Sequence, residues 1–163
     1  MDLRACVVVV GVTGYIASGK SSFCKYLKEA LEEKGQACSV IDVDVVCREL
    51  RDSNAEVKKE IKDVLGESVF DENGKTIPSK IRLIYDGTHE ELRKKYDAIF
   101  DIWIPKSVQN YILAKAQELN ATLPNKSDLP SFTPKHFVIV DCYCLYSYLR
   151  DVANMMHYVI WIR

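Results

Sequence analysis

Gly14-Tyr15-Ile16-Ala17-Ser18-Gly19-Lys20-Ser21 fits the pattern G-x-x-x-x-G-K-[ST], the loop that wraps nucleotide phosphates. In such a loop successive backbone N–H groups turn inward as an anion nest, and the helix that follows adds the positive end of its dipole. Read this way, Gly14, Tyr15, Ile16, Ala17, Ser18, Gly19, Lys20, Ser21 and Ser22 line the phosphates of ATP. Lys20 reaches the β- and γ-phosphates as a mobile point charge, and the Ser21 hydroxyl sits on Mg²⁺. The pattern is short, so its surroundings decide. Val7-Val8-Val9-Val10 just before it is the near-continuous β-branched run of a strand covered on both faces. After it, Phe23, Leu27, Ala30 and Leu31 recur at helical spacing, and Gly35 is a stop. Strand, loop and helix stand in the required order.

Further along, Ala37-Cys38-Ser39-Val40-Ile41 gives a second strand that runs into Asp42-Val43-Asp44. In open α/β sheets ligands gather at the carboxyl ends of the strands. If the first two strands are sheet neighbours, this acidic pair lies close to the phosphates. One carboxylate can hold the waters around Mg²⁺, and one can take the proton from an acceptor hydroxyl. The plainer reading is that Asp44 caps a helix beginning near Val45. Asp42 and Asp44 share one side of an extended strand end, so one can cap while the other works. Phe137-Val138-Ile139-Val140 is a buried strand ending in Asp141, either a metal-supporting acid or a turn aspartate. Tyr158-Val159-Ile160-Trp161-Ile162 is a further strand.

Between the second strand and Leu119 the pattern is helical, broken by turns. Asn54 caps a segment with Val57, Ile61, Val64 and Leu65 on one face, and Gly66 stops it. Asp71-Glu72-Asn73-Gly74 is a turn. Leu92, Tyr96, Ile99 and Trp103 form an apolar stripe that ends or kinks at Pro105. Val108, Tyr111, Ile112 and Leu119 form another. Residues 121–135 read as a polar loop with three prolines, and Tyr143 to Met156 as a helix. The expected architecture is a P-loop NTPase-like three-layer α/β/α fold with a parallel sheet. Residues 1–50 and 106–163 make the nucleotide-binding core, and 51–105 a helical insertion. Small phosphotransferases keep their acceptor region in such an excursion, where Arg48 and Arg82 are candidates to hold an anionic acceptor.

The chain has 163 residues and a formal net charge of -1, which argues against nucleic acid or an anionic membrane as the main partner. It has no apolar run near the ~20 residues that span a bilayer. The N-terminal apolar run leads straight into the phosphate loop and is therefore not the core of a signal peptide. The six cysteines do not make a disulfide scaffold. Cys6, Cys38 and Cys142 lie in apolar runs, and Cys142-Tyr143-Cys144 is not a C-x-x-C pair. A reducing cytoplasm follows as the expected setting. Asn120-Ala121-Thr122 and Asn125-Lys126-Ser127 then read as polar loop rather than glycosylation sites.

Val12-Thr13 with the phosphate loop, then Ile41-Asp42-Val43-Asp44 with Arg48-Glu49, resembles the dephospho-coenzyme A kinase family. That family pairs a T-G-G-I-G-S-G-K-[ST] loop with a D-A-D-x-x-x-R-E segment. Leu65-Gly66, Gly74 with Ile77, and Ile84-Tyr85-Asp86 resemble its middle region, and Val140-Asp141 falls where its third core strand ends. The resemblance implies transfer of the ATP γ-phosphoryl, with Mg²⁺, to the ribose 3′-hydroxyl of dephospho-coenzyme A. It places Asp44 at that hydroxyl as the catalytic carboxylate, with Lys20 on the phosphates and Ser21, Asp42 and Asp141 at the metal.

Several positions depart from the family pattern. Tyr15 and Ala17 replace loop glycines. Ala17 is tolerable unless the site needs a positive φ, and Tyr15 can cover or block the phosphates. Ile104-Pro105 stands where the family has His-Pro, and Tyr143-Cys144-Leu145-Tyr146-Ser147 replaces its P-L-L-F-E segment. Ser79 stands near a family arginine. The family continues past the last strand into an arginine-bearing lid, whereas this sequence ends at Arg163. Two expectations follow, a sequence that stops before the lid or a reduced, inactive relative. A nucleotide-binding pseudokinase and another small phosphate-loop kinase, acting on a nucleoside, gluconate or shikimate, are therefore the alternatives.

Overall fold

A β-branched run buried on both faces needs partners on both edges and cover above and below. The computed structural model supplies both for β1 (Val7–Gly14), which is buried at every position. It describes residues 7–122, 136–143, 145, 154 and 156–163, the side chains of 119–122 excepted. Cys6, Cys144, the Leu119 side chain, residues 123–135 of the expected loop and most of the helix expected over 143–156 lie outside the described residues.

Val8, Val10 and Val12 pack with Cys24 and Ile139 into one cluster, closed by Phe23, Leu27 and Leu31 of α1 (Lys20–Glu33). Ala30, expected on that stripe, faces solvent, and Cys24 is the residue of α1 that is fully enclosed. On the other face of β1, a Cβ on Gly11 would lie 2.5 Å from Met156 Sδ and 2.8 Å from Leu145 Cδ2. Both faces are thus covered.

β2 (Ala37–Asp42), β3 (His136–Asp141) and β4 (Tyr158–Ile162) complete a parallel sheet in the order β2-β3-β1-β4. The α/β class read from the sequence holds. One condition attached to it does not, because β1 and β2 are not neighbours and β3 lies between them. Periodicity fixes which residues face the core, but it does not choose a strand's neighbour. The carboxyl ends stay level all the same. Asp141 is in register with Val12 on one side and with Asp42 on the other.

The chain divides into a sheet unit, Met1–Val43 with Pro105–Arg163, and a helical unit, Asp44–Ile104. The first division falls at Val43 rather than after residue 50. α2 (Val43–Ser53) starts directly on the strand end, so Asp44 and Arg48 go with the helical unit. Asp44 is therefore not the cap of a helix starting at Val45, nor does it lie on an extended strand end beside Asp42. It sits in the first turn of α2, where its charge suits the helix dipole.

In the helical unit the local signals act as read. Asn54 Oδ1 accepts from the N–H groups of Glu56 and Val57 at 2.9 and 3.0 Å and starts α3 (Ala55–Leu65), which Gly66 ends. Asp71 Oδ1 accepts from Asn73 N and Lys75 N and closes the turn. Pro78 opens α4 (Pro78–Leu83) at a position whose N–H has no helical partner anyway.

α5 (Glu90–Thr122) corrects two expectations. It runs through Pro105, which neither ends it nor separates the two stripes. Pro105 removes one backbone donor, and the buried side chains of Ile104 and Val108 on either side hold the helix together. It also takes in Asn120-Ala121-Thr122, which is helix rather than polar loop. Tyr96, Ile99, Val108 and Ile112 are buried as the stripes require, joined by Phe100, Ile104 and Ala116, while Tyr111 is 37% exposed.

Candidate nucleotide site

The site grows from the end of β1. Gly14 has φ 151, and a Cβ there would lie 2.2 Å from the Ile162 carbonyl oxygen, so only glycine lets β4 close on the strand at this point. The chain then turns, with Ser18 N–H donating to Tyr15 O at 3.2 Å. Ala17 within that turn has φ 64, left-handed backbone that favours glycine. The condition set by the sequence is met unfavourably: this position does need a positive φ, and alanine adopts it under strain.

α1 starts at Lys20 with Gly19 as its cap residue, which offers no side-chain hydrogen bond, and its first turn holds no acid. α3 is built the other way, with Asn54 over its amides and Glu56 in its first turn. A helix start with neither device leaves its amides and positive dipole end for an outside anion.

Around that start the side chains converge. Lys20 Nζ donates to Tyr15 O at 2.8 Å. Ser21 Oγ donates to Asp141 Oδ2 at 2.7 Å, a charge-assisted contact between the first turn of α1 and the end of β3. Ser18 Oγ is buried with no hydrogen-bond partner, the orphan that a phosphate oxygen would satisfy. Cys24, one turn further into α1, reports the local field. Burial first, and then the negative charges of Asp141 and Asp42, push its thiol up to about 12, against the opposing pull of Lys20. The two carboxylates and the lysine thus act at one place, and the thiol there is inert.

Ser21 and Asp141 are hard oxygen donors. Mg²⁺ keeps several waters and takes one or two carboxylates with substrate phosphates, rather than an all-protein cage. The pair fits that demand. Among the described residues no group of three or more histidine, cysteine, aspartate or glutamate side chains forms a separate metal site.

The structure thus brings together residues 14–22, Asp42 and Asp141 of the sequence-derived set. Asp44, Arg48 and Arg82 are exposed on α2 and α4 of the helical unit. What the sequence did not signal is the partner of Tyr15. Its ring meets Trp161 of β4 edge to face, with centroids 6.0 Å apart and planes at 81°. Tyr15 remains 71% exposed.

The family model for dephospho-CoA kinase matches residues 8–123. The chain belongs to the dephospho-CoA kinase family. A dephospho-CoA kinase from Fusobacterium nucleatum is 27% identical over 143 residues, covering 84% of this chain and 68% of that protein. A dephospho-CoA kinase domain-containing protein from Danio rerio is 36% identical over 98 residues, 53% of this chain and 40% of that protein. A Bacillus cereus dephospho-CoA kinase is 26% identical over 121 residues, 65% of this chain and 56% of that protein. The chain thus spans 40% to 68% of the length of these relatives. The dephospho-CoA kinase match takes in the phosphate loop, Asp42, Asp44, Arg48 and Arg82, whereas Asp141 and Trp161 lie beyond it.

Proposed function

We propose that this chain is an ATP-dependent phosphotransferase that phosphorylates the ribose 3′-hydroxyl of dephospho-coenzyme A. The observation that carries the nucleotide half is the Ser21–Asp141 contact beside an uncapped helix start. Family membership carries the acceptor. In this reading the loop amides and Lys20 hold the β- and γ-phosphates. Ser21 and Asp141 would hold Mg²⁺, with Asp42 beside Asp141 as a further acid. Bound there, Mg²⁺ would supply charge neutralisation to the phosphates. Asp44 takes the proton of the 3′-hydroxyl as its oxygen bonds to the γ-phosphorus. Arg48 and Arg82 of the helical unit hold the acceptor's phosphates. Phosphoryl transfer is mostly positioning and charge neutralisation, and that is the work these residues would do. The cysteine usage read from the sequence leads us to place the reaction in a reducing cytoplasm. No helix among the described residues is long and apolar enough to cross a membrane.

A second reading, a nucleotide-binding pseudokinase, is favoured by one observation. Ile104 stands where the family has histidine, and it is buried at 2% exposure. Release of ADP with and without dephospho-coenzyme A separates the two. Acceptor-dependent release supports the kinase. Nucleotide binding with no acceptor-dependent release supports the pseudokinase.

A further inference from the structure

We propose that Trp161 is a positioning residue for nucleotide binding, acting through Tyr15 on Lys20 and the phosphate loop. The inference rests on the nucleotide reading of that loop and adds a residue outside it. The Tyr15 carbonyl is a hub, because it accepts both the Lys20 ammonium at 2.8 Å and the Ser18 amide at 3.2 Å. Wherever Tyr15 goes, the turn and the lysine go with it. Its side chain is 71% exposed, and among the described residues its ring contact is the edge-to-face pair with Trp161. The Trp161 backbone is held in β4, in register with Thr13 of β1, and its side chain is half exposed. The turn between these contacts contains Ala17 at φ 64, a conformation an alanine does not hold unaided. The aromatic pair therefore ties a strained loop to the rigid sheet and keeps the lysine where a triphosphate needs it. Preorganisation of this kind raises affinity by lowering the ordering cost of binding.

An aromatic pair of this geometry corresponds to about two- to tenfold in an equilibrium constant. The probe is Mg²⁺ with inorganic tripolyphosphate, which has no base or sugar and reports the loop alone, titrated calorimetrically into the full chain. Trp161→Ala is expected to weaken binding about two- to tenfold and Trp161→Phe to restore most of it. In a Tyr15→Ala background, Trp161→Ala is expected to add nothing. A second readout leaves Tyr15 and Trp161 themselves intact. In Trp103→Phe, Trp161 is the only tryptophan, and its emission is expected to shift as tripolyphosphate fills the loop beside Tyr15. Wild-type affinity in Trp161→Ala, full additivity with Tyr15→Ala, or an unmoved Trp161 emission would each overturn the proposal. Lys20→Ala in the same titration tells the two readings apart. If it abolishes binding while Trp161→Ala does not weaken it, only the positioning role falls. If it binds as well as wild type, the nucleotide reading falls and takes this proposal with it.

Discussion

Ser21 and Asp141 lie 120 positions apart in the chain and share a 2.7 Å hydrogen bond across the carboxyl end of the sheet. The contact joins the residue after the loop lysine to the acid at the end of the strand beside β1. One side chain alone is a weak metal ligand. Two held in contact by separate elements are a preformed pair of oxygen donors.

Asp141→Asn keeps the shape and removes the charge. It is expected to weaken Mg-ATP binding by about 10- to 100-fold while leaving metal-free ATP nearly unaffected. Titration of ATP at stepped Mg²⁺ concentrations checks this. Equal losses with and without metal would place Asp141 away from the ion.

Asp44→Asn tests the proton acceptor. ATP affinity should stay close to wild type while acceptor-dependent turnover falls by about 10²- to 10⁴-fold. Turnover at the wild-type rate would reduce Asp44 to an acidic residue in the first turn of α2.

Ala17→Gly should relieve the left-handed strain at φ 64. The relief, about 1–2 kcal/mol, is offset in part by about 0.4–1 kcal/mol of extra chain entropy in the unfolded state. A net gain of roughly 1 kcal/mol in urea unfolding is expected. A loss of stability would mean that the alanine sits there unstrained.

How much of this was legible depends on the range over which each signal acts. The strand, turn and helix around residues 7–33, the Asn54 cap and the Asp71 turn are set by residues within a few positions of one another, and each formed as read. Asp141 could be suspected from a strand ending in an acid, but its contact with Ser21 needed the strand order. That order was not readable, because the buried runs of β1 and β3 fit several neighbours equally. Pro105 misled because its local penalty was outweighed by burial on both sides of it. The start of α2 misled because the strand passes into the helix with no intervening turn residue. The Tyr15–Trp161 pair had no signature at all, since two exposed aromatics far apart in sequence show their pairing only in three dimensions.

His136 gives a pH signature. Its imidazole lies 2.6 Å from Ser39 Oγ. Burial first, and then the charge of Lys115, hold its pKa below the ordinary 6.5, with Glu118 opposing. Below pH 6.5 the unfolded chain therefore binds more protons at this residue than the folded one. Stability from this source is complete above 6.5, falls as the pH drops below it and levels off beneath the folded-state pKa. Urea midpoints of wild type and His136→Gln should diverge in that acid window alone. A constant difference across pH would contradict the assignment.

The most direct measurement is calorimetric titration of Mg-ATP into the wild-type chain and into Lys20→Ala. Charge-assisted hydrogen bonds contribute about 1.5–3 kcal/mol each, so the variant is expected to bind at least ~10-fold more weakly with its fold unchanged. Equal affinities would show that the triphosphate does not meet this lysine, and the phosphate-loop reading would fail.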